Sequence, residues 1–111
     1  MPARPTKFFA PGTLDWKVVD VRGTPLEEAR VMDGEHGVYS GFYRLPQGAE
    51  IRSHRHVAWV QVMVLEGGME VTDENGTSIV EAGSCYLISP GRQHCERALA
   101  DTLVFVTGPE P

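Results

Sequence analysis

Apolar residues along this chain occur in short segments, and each segment ends at a glycine, a proline or a polar turn. The 12 glycines and 8 prolines are spread through the 111 residues, so no long helical period is sustained. We count about eight to ten strand-like segments of roughly four to eight residues each. Short strands at such intervals are typical of a β-sandwich or a small β-barrel. The pattern therefore predicts an all-β protein.

Individual segments support this prediction to different degrees. Residues 24–32 are predicted as one helical turn or as a short strand, because Thr24 and Glu27 resemble a capping box. Asn75 and Gly76 predict a hairpin turn, since both residue types tolerate positive φ. Clear strands are predicted at residues 14–21, 38–45 and 100–108.

The length and composition indicate one globular domain. A chain of 111 residues fits a single domain, and 41% hydrophobic with 23% charged residues are globular values. The predicted domain covers residues 1–111, with an irregular N-terminal arm at about residues 1–13. The net charge is −5 and no basic stripe is present, so we expect neither nucleic acid nor an anionic membrane as a partner.

The N-terminal residues give an expectation about location. They contain no apolar segment followed by a small-residue cleavage site, so no signal peptide is predicted and we expect a cytoplasmic protein. No apolar run is long enough to span a bilayer. Cys85 and Cys95 are then expected to stay reduced, with a disulfide as the less favoured alternative.

Two histidines separated by one residue, His54 and His56, are the strongest candidates for chemistry. Side chains at i and i+2 of a strand share a face, so the two rings can reach one ion. Neutral imidazole is the commonest metal ligand. A third ligand must come from elsewhere in the fold, and His94 follows a Pro90-Gly91 turn. The pair alone is explained equally well by two solvated surface residues.

The spacing around the histidine pair resembles the first motif of the cupin family. Gly48 is followed by five residues and then by His54, Arg55 and His56. After four intervening residues comes Gln61, and after six more comes a second glycine, Gly68. The family places a glutamate where this chain has Gln61, so one position departs from the motif.

A second stretch resembles the second cupin motif. Gly83 is followed by five residues and then by a segment containing Pro90 and Gly91, with His94 three positions after Gly91. The proline is displaced by one position, and Ala98 stands where the family has an asparagine. Together the two motifs cover residues 48–98, and two spaced motifs are more specific than either one alone.

The resemblance implies a small single-domain cupin of the RmlC-like, cupin-2 type. Its fold is then an all-β double-stranded β-helix, the jelly-roll barrel. The implied ligands, which face the barrel interior and bind one divalent transition metal ion, are His54, His56, Gln61 and His94. The ligand types do not select among Fe, Mn, Ni, Zn and Cu.

The position of Gln61 has an alternative. Counting back from Gly67 instead of Gly68 places Val60, and not Gln61, at the fourth ligand position. Both faces of this strand are apolar apart from Gln61, so alternation does not decide between them. The alternative is a three-histidine site.

The implied function is a metal-dependent dioxygenase, or a related lyase or isomerase, acting on a small oxygen-rich bidentate substrate. Neutral ligands leave the full charge on the ion, which favours an anionic chelating ligand. The alternatives are a non-catalytic metal-dependent ligand-binding or sensor barrel and a purely structural metal barrel. No catalytic residue is assigned. The expected substrate-binding residues are Tyr43, Trp59, Met63 and Phe105.

The resemblance also implies an assembly. Small single cupins commonly pair, and Phe8 and Phe9 would be wasted in a free arm. We therefore expect a homodimer in which this arm packs on its own barrel or on its neighbour's.

Overall fold

The computed structural model describes residues 6–111, and these form ten β-strands with two short 3₁₀ turns at Pro11–Thr13 and Glu35–Gly37. The strands are β1 (Lys17–Val21), β2 (Thr24–Asp33), β3 (Tyr39–Leu45), β4 (Glu50–Arg55), β5 (Val60–Glu66), β6 (Gly68–Asp73), β7 (Gly76–Glu81), β8 (Cys85–Ile88), β9 (Gln93–Ala98) and β10 (Thr102–Gly108).

The strands form two antiparallel sheets. One has six strands in the order β1-β2-β3-β10-β5-β8, and the other has four in the order β4-β9-β6-β7. Buried side chains from both sheets meet in one apolar cluster. This arrangement confirms the predicted all-β jelly-roll barrel. No helix among residues 6–111 is long and apolar enough to cross a membrane.

The core depends on regular alternation along the strands. In β5, Val62 and Val64 are 5% and 0% exposed, whereas Met63 between them is 43% exposed. Met69 on β6 is 1% exposed and joins the same cluster. Full burial of such a side chain contributes about 1.5–3 kcal/mol, so a few inward positions of each strand stabilise the barrel.

The structure selects the strand alternative for one predicted segment and shifts the turn in another. Residues 24–32 lie in a strand and not in a helical turn, because β2 pairs with β1 on one side and with β3 on the other. The hairpin between β6 and β7 is present, but its two turn residues are Glu74 and Asn75, one position earlier than predicted. Only Gly76 takes a positive φ there, at 122°.

The described part of the N-terminal arm does not pack closely on its own barrel. Phe8 is 88% exposed and Phe9 is 40% exposed. The arm residues 1–5 lie outside the described part of the chain.

Gly67 forms the tight turn between β5 and β6. Its φ is +80°, a left-handed conformation that favours glycine. A Cβ atom at this position would lie 2.5 Å from both the Asp101 carbonyl oxygen and the Thr102 Oγ1. Thr102 Oγ1 also donates to the Gly68 carbonyl at 3.1 Å, so this turn is held against the start of β10.

We expect Gly67→Ala to lower the free energy of unfolding more than Gly48→Ala, by roughly 1–3 kcal/mol, the usual cost of overpacking. Gly48 is the matched control because its φ is +85° and a Cβ there meets nothing within 4 Å. Urea denaturation of both variants measures the difference. Equal losses would contradict the close approach at Gly67.

Candidate metal centre

Three histidines meet inside the barrel on neighbouring strands. His54 on β4 lies opposite His94 on β9 in the antiparallel register, and His56 follows directly after β4. The ring centroid of His54 is 4.8 Å from that of His56 and 4.2 Å from that of His94. One ring nitrogen from each of the three lies within 4.8 Å of the others.

A β-bulge aims the histidine pair inward. Ile51 pairs with Glu96 and His54 pairs with His94, so β4 uses three steps where β9 uses two. Ile51 faces the core. In a regular strand, residues an odd number of positions after Ile51, such as His54, would therefore face outward. The bulge changes this parity, and His54 and His56 become partly buried.

The hydrogen bond of His54 fixes its tautomer. Its Nδ1 is 2.7 Å from the Arg52 carbonyl oxygen, which can only accept, so Nδ1 carries the proton. In the neutral ring Nε2 then has a free lone pair. This Nε2 lies 3.1 Å from the Nε2 of His56.

Burial keeps this pair of imidazoles neutral. Removal from water lowers the pKa of His54 and of His56, and the positive charge of Arg22 lowers both further. Because the pKa of each ring is lowered, both rings stay unprotonated at neutral pH and their lone pairs remain available. Metal binding requires this neutral form.

A buried acid, Glu96, adjoins the third histidine. His94 is 2% exposed, and its Nε2 lies 3.1 Å from Oε1 of Glu96. The Tyr86 hydroxyl donates to the other carboxylate oxygen. Burial alone would raise the pKa of Glu96, but the hydrogen bonds from His94 and Tyr86 outweigh burial and hold that pKa below its usual value. The carboxyl group is therefore ionised.

Sequence reasoning did not select Glu96. The signal was present, because residue 96 is two positions after His94 and shares its face of the strand. The first motif specifies an acid at the position of Gln61, and the second motif specifies none at position 96.

The structure does not bring Gln61 to the histidines. Val60, Val62 and Val64 form the inward side of β5, while Gln61 is exposed on the outward side together with Met63. The implied ligand role of Gln61 therefore conflicts with its position, because adjacent side chains of a regular strand point to opposite faces. The geometry agrees with the three-histidine alternative, in which Val60 occupies the fourth position.

A cavity of about 590 Å³ lies between the sheets and is lined in part by His54 and His56. Of the four predicted substrate-binding residues, Tyr43 and Trp59 line it. Met63 and Phe105 do not, since they lie opposite each other on the outer surface of the six-stranded sheet. Their outward position corrects the prediction. As for Gln61, the cause is that adjacent side chains of a regular strand point to opposite faces.

Polar groups on the six-stranded sheet also reach this cavity. The Tyr43 hydroxyl donates to Glu28, and a guanidinium nitrogen of Arg30 lies 3.3 Å from the same carboxylate. Arg22, in the turn between β1 and β2, has a φ of 52° and lines the cavity as well. Positive φ is uncommon outside glycine, and such strain often occurs at functional sites.

The donor set fits a divalent transition metal ion. Two donors that are each about 2.1 Å from one ion and at a right angle are about 3.0 Å apart. The 3.1 Å between the Nε2 atoms of His54 and His56 matches this separation. Three neutral imidazoles suit Fe, Ni, Cu or Zn and do not select among them.

Comparison with known proteins identifies the family. Residues 41–107 match the cupin-2 family, which is described as "Cupin domain". The match covers more than half of the chain, and the chain belongs to the cupin family. None of the curated proteins compared with it matches.

Several solved structures share the fold. KdgF from Halomonas sp. is 22% identical with a TM-score of 0.78, and 96% of each chain is covered. A putative acetylacetone dioxygenase from Methylibium petroleiphilum is 15% identical with a TM-score of 0.77, covering 100% of this chain and 82% of that one. A predicted oxalate decarboxylase from Thermotoga maritima is 17% identical with a TM-score of 0.77, covering 91% and 96%. At these identities the likeness concerns the fold alone.

We expect His94→Ala to weaken Ni²⁺ binding by more than about 100-fold, since loss of a mere outer-shell partner costs roughly 10–100-fold. Gln61→Ala is expected to leave the affinity unchanged because that side chain faces outward. Isothermal titration calorimetry measures both, with circular dichroism to verify folding.

A second control is His36→Asn. His36 is exposed and has a φ of 58°, which asparagine tolerates. Full Ni²⁺ affinity in His94→Ala, or its loss in His36→Asn, would contradict the proposed site.

Proposed function

We propose that the protein binds one divalent transition metal ion through His54, His56 and His94 and acts as a metal-dependent dioxygenase, or as a related lyase or isomerase. The substrate is a small oxygen-rich molecule that chelates the ion. The observation that carries the proposal is the cluster of three histidines, of which His54 and His56 line a cavity of about 590 Å³. This volume falls within the usual range of small-molecule sites.

The bound ion would supply Lewis acidity, which favours an anionic bidentate ligand such as an enolate or a carboxylate. The protein supports such a ligand with its own charges. Arg22 lines the cavity, and its charge acts on both His54 and His56, so its guanidinium lies where it can attract a substrate anion. Val60 and Val62 on the inward side of β5 line the same space with apolar side chains.

The opposite sheet supplies orientation. Tyr43 and Arg30 lie on strands of the six-stranded sheet, whereas the histidines belong to the β4–β9 side. Their hydroxyl and guanidinium groups can hold substrate oxygens that the ion does not bind. Trp59 offers a flat apolar surface beside them and is 40% exposed.

The names of two structural neighbours favour the same class of substrate. One is a putative acetylacetone dioxygenase and another is a predicted oxalate decarboxylase. Both names refer to small molecules that carry two oxygens suited to chelation. We extend that substrate class, and no particular compound, to this chain.

The reaction is tested by oxygen uptake with protein loaded separately with Fe²⁺, Mn²⁺, Ni²⁺, Cu²⁺ or Zn²⁺ and offered a panel of β-diketones, flavonols and dicarboxylates. We expect uptake or decarboxylation with at least one pair, and a loss of more than about 100-fold in His54→Ala, because the substrate no longer has a complete centre to bind. Ligand-induced thermal stabilisation without turnover on the whole panel would instead favour the non-catalytic binding barrel.

We also propose that the protein is a homodimer. The outer surface of the six-stranded sheet carries an apolar row in which Phe105 lies between Phe42 and Met63 in register. Leu87 on β8 is 65% exposed nearby, and Phe8 of the arm is 88% exposed. Contiguous exposed apolar surface commonly marks an interface.

The cytoplasmic location stays a prediction.

Light scattering should therefore give twice the mass of one chain. We expect Met63→Glu to shift the equilibrium towards the monomer, since a charge would be buried in the interface. Val57→Glu is the matched control, because Val57 is 89% exposed but belongs to no strand of this row. A monomeric wild-type protein would contradict the proposal.

A further inference from the structure

We propose that Glu96 is the fourth ligand of the metal centre, so that β9 supplies the carboxylate that β5 lacks. This inference rests on the metal binding proposed above. It changes the centre from three neutral ligands to three histidines and one acid, and the side chain involved is not part of either sequence motif.

Glu96 is already placed at the histidine cluster. It lies two positions after His94 on β9, and its side chain is 12% exposed. Its Oε1 is 3.1 Å from Nε2 of His94, the one histidine of the three with which it forms a hydrogen bond. Glu96 also lines the same cavity as His54 and His56. Among the described residues the donors already within 4.8 Å of one another are the three histidines, so a shared ion would require the Glu96 carboxylate to turn from His94 towards His54 and His56.

Two pairs of donors have the same spacing. The Nε2 atoms of His54 and His56 are 3.1 Å apart, and Nε2 of His94 is 3.1 Å from Oε1 of Glu96. Neighbouring donors on one octahedral ion, each about 2.1 Å from it, are separated by about 3.0 Å. Both pairs thus have the separation that a common ion imposes.

Glu96 lacks the guanidinium partner that a similar acid of this protein has. The protein contains a second acid whose side chain is largely buried, Glu28, which accepts a hydrogen bond from Tyr43 just as Glu96 does from Tyr86. Glu28 also pairs with Arg30 at 3.3 Å. No lysine or arginine among residues 6–111 pairs with Glu96.

Buried charges are normally paired or coordinated to a metal, because an isolated ion is costly to remove from water. A bound divalent ion would occupy at Glu96 the place that Arg30 occupies at Glu28. The Tyr86 hydroxyl holds one carboxylate oxygen, and the other lies against Nε2 of His94, where a bound ion would replace the proton that this pair shares.

A different arrangement of His94 must be excluded. Its Nδ1 is buried without a hydrogen-bond partner among the described residues. If Nδ1 bound the ion, the Nε2–H group would donate to Glu96, and the acid would orient the ring without being a ligand. The two arrangements differ in which nitrogen of His94 carries the metal.

The first measurement is the affinity for Mn²⁺ and Ni²⁺ of the wild type, Glu96→Gln and Glu28→Gln. We expect Glu96→Gln to weaken Mn²⁺ binding by more than about 100-fold, beyond the roughly 10–100-fold caused by loss of an outer-shell partner. The loss for Ni²⁺ is expected to be smaller, because carboxylate suits Mn²⁺ whereas imidazole suits Ni²⁺. Glu28→Gln is the matched control and should retain both affinities.

The second measurement needs no variant. Nitrogen-15 NMR of the histidine rings in the Zn²⁺-loaded wild type should give His94 bound through Nε2. Binding through Nδ1 would overturn the proposal, as would equal Mn²⁺ affinity in the wild type and Glu96→Gln. A wild type that binds none of these ions would refute the proposed metal centre itself, so the two failures are distinguishable.

Discussion

The antiparallel pairing of β4 with β9 is the constraint on which the candidate metal centre depends. It sets His54 opposite His94, and the bulge in β4 decides that His54 and His56 point into the barrel. A bulge inserts one residue into one strand and reverses the parity of everything that follows. The whole centre therefore follows from a single irregularity in one ladder, while the ladders on either side keep the barrel closed.

Burial then determines the electrostatics of the site in two opposite ways. The cavity removes water from His54 and His56, which keeps them neutral and able to bind a cation. At Glu96 the same burial is outweighed by hydrogen bonds from His94 and Tyr86, which keep the acid charged. Neutral bases and an ionised acid therefore meet in one place, and this combination attracts a divalent cation more strongly than water-exposed groups of the same kinds.

Much of this arrangement could be predicted from the sequence, because motif spacing reports on chain geometry directly. Glycines at fixed distances from His54, His56 and His94 carry the resemblance to the cupin family, and that resemblance implies both the barrel and the three histidine ligands. The prediction failed where strand alternation decided the outcome. β5 is apolar on both sides, so nothing in its sequence distinguishes the face of Gln61 and Met63 from the face of the valines. The role of Glu96 depends on contacts between β8 and β9 that no motif records.

The two apolar faces of β5 have a consequence for how such a protein can change. Residues 57–59 connect His56 to this strand. Removal of one of them would shift the strand by one residue and exchange its inward and outward faces. Gln61, Met63 and Leu65 would then replace the valines inside the barrel, and an apolar core would still result. A single deletion in this short connection would therefore bring Gln61 from the outer surface to the inward face and change the set of possible metal ligands.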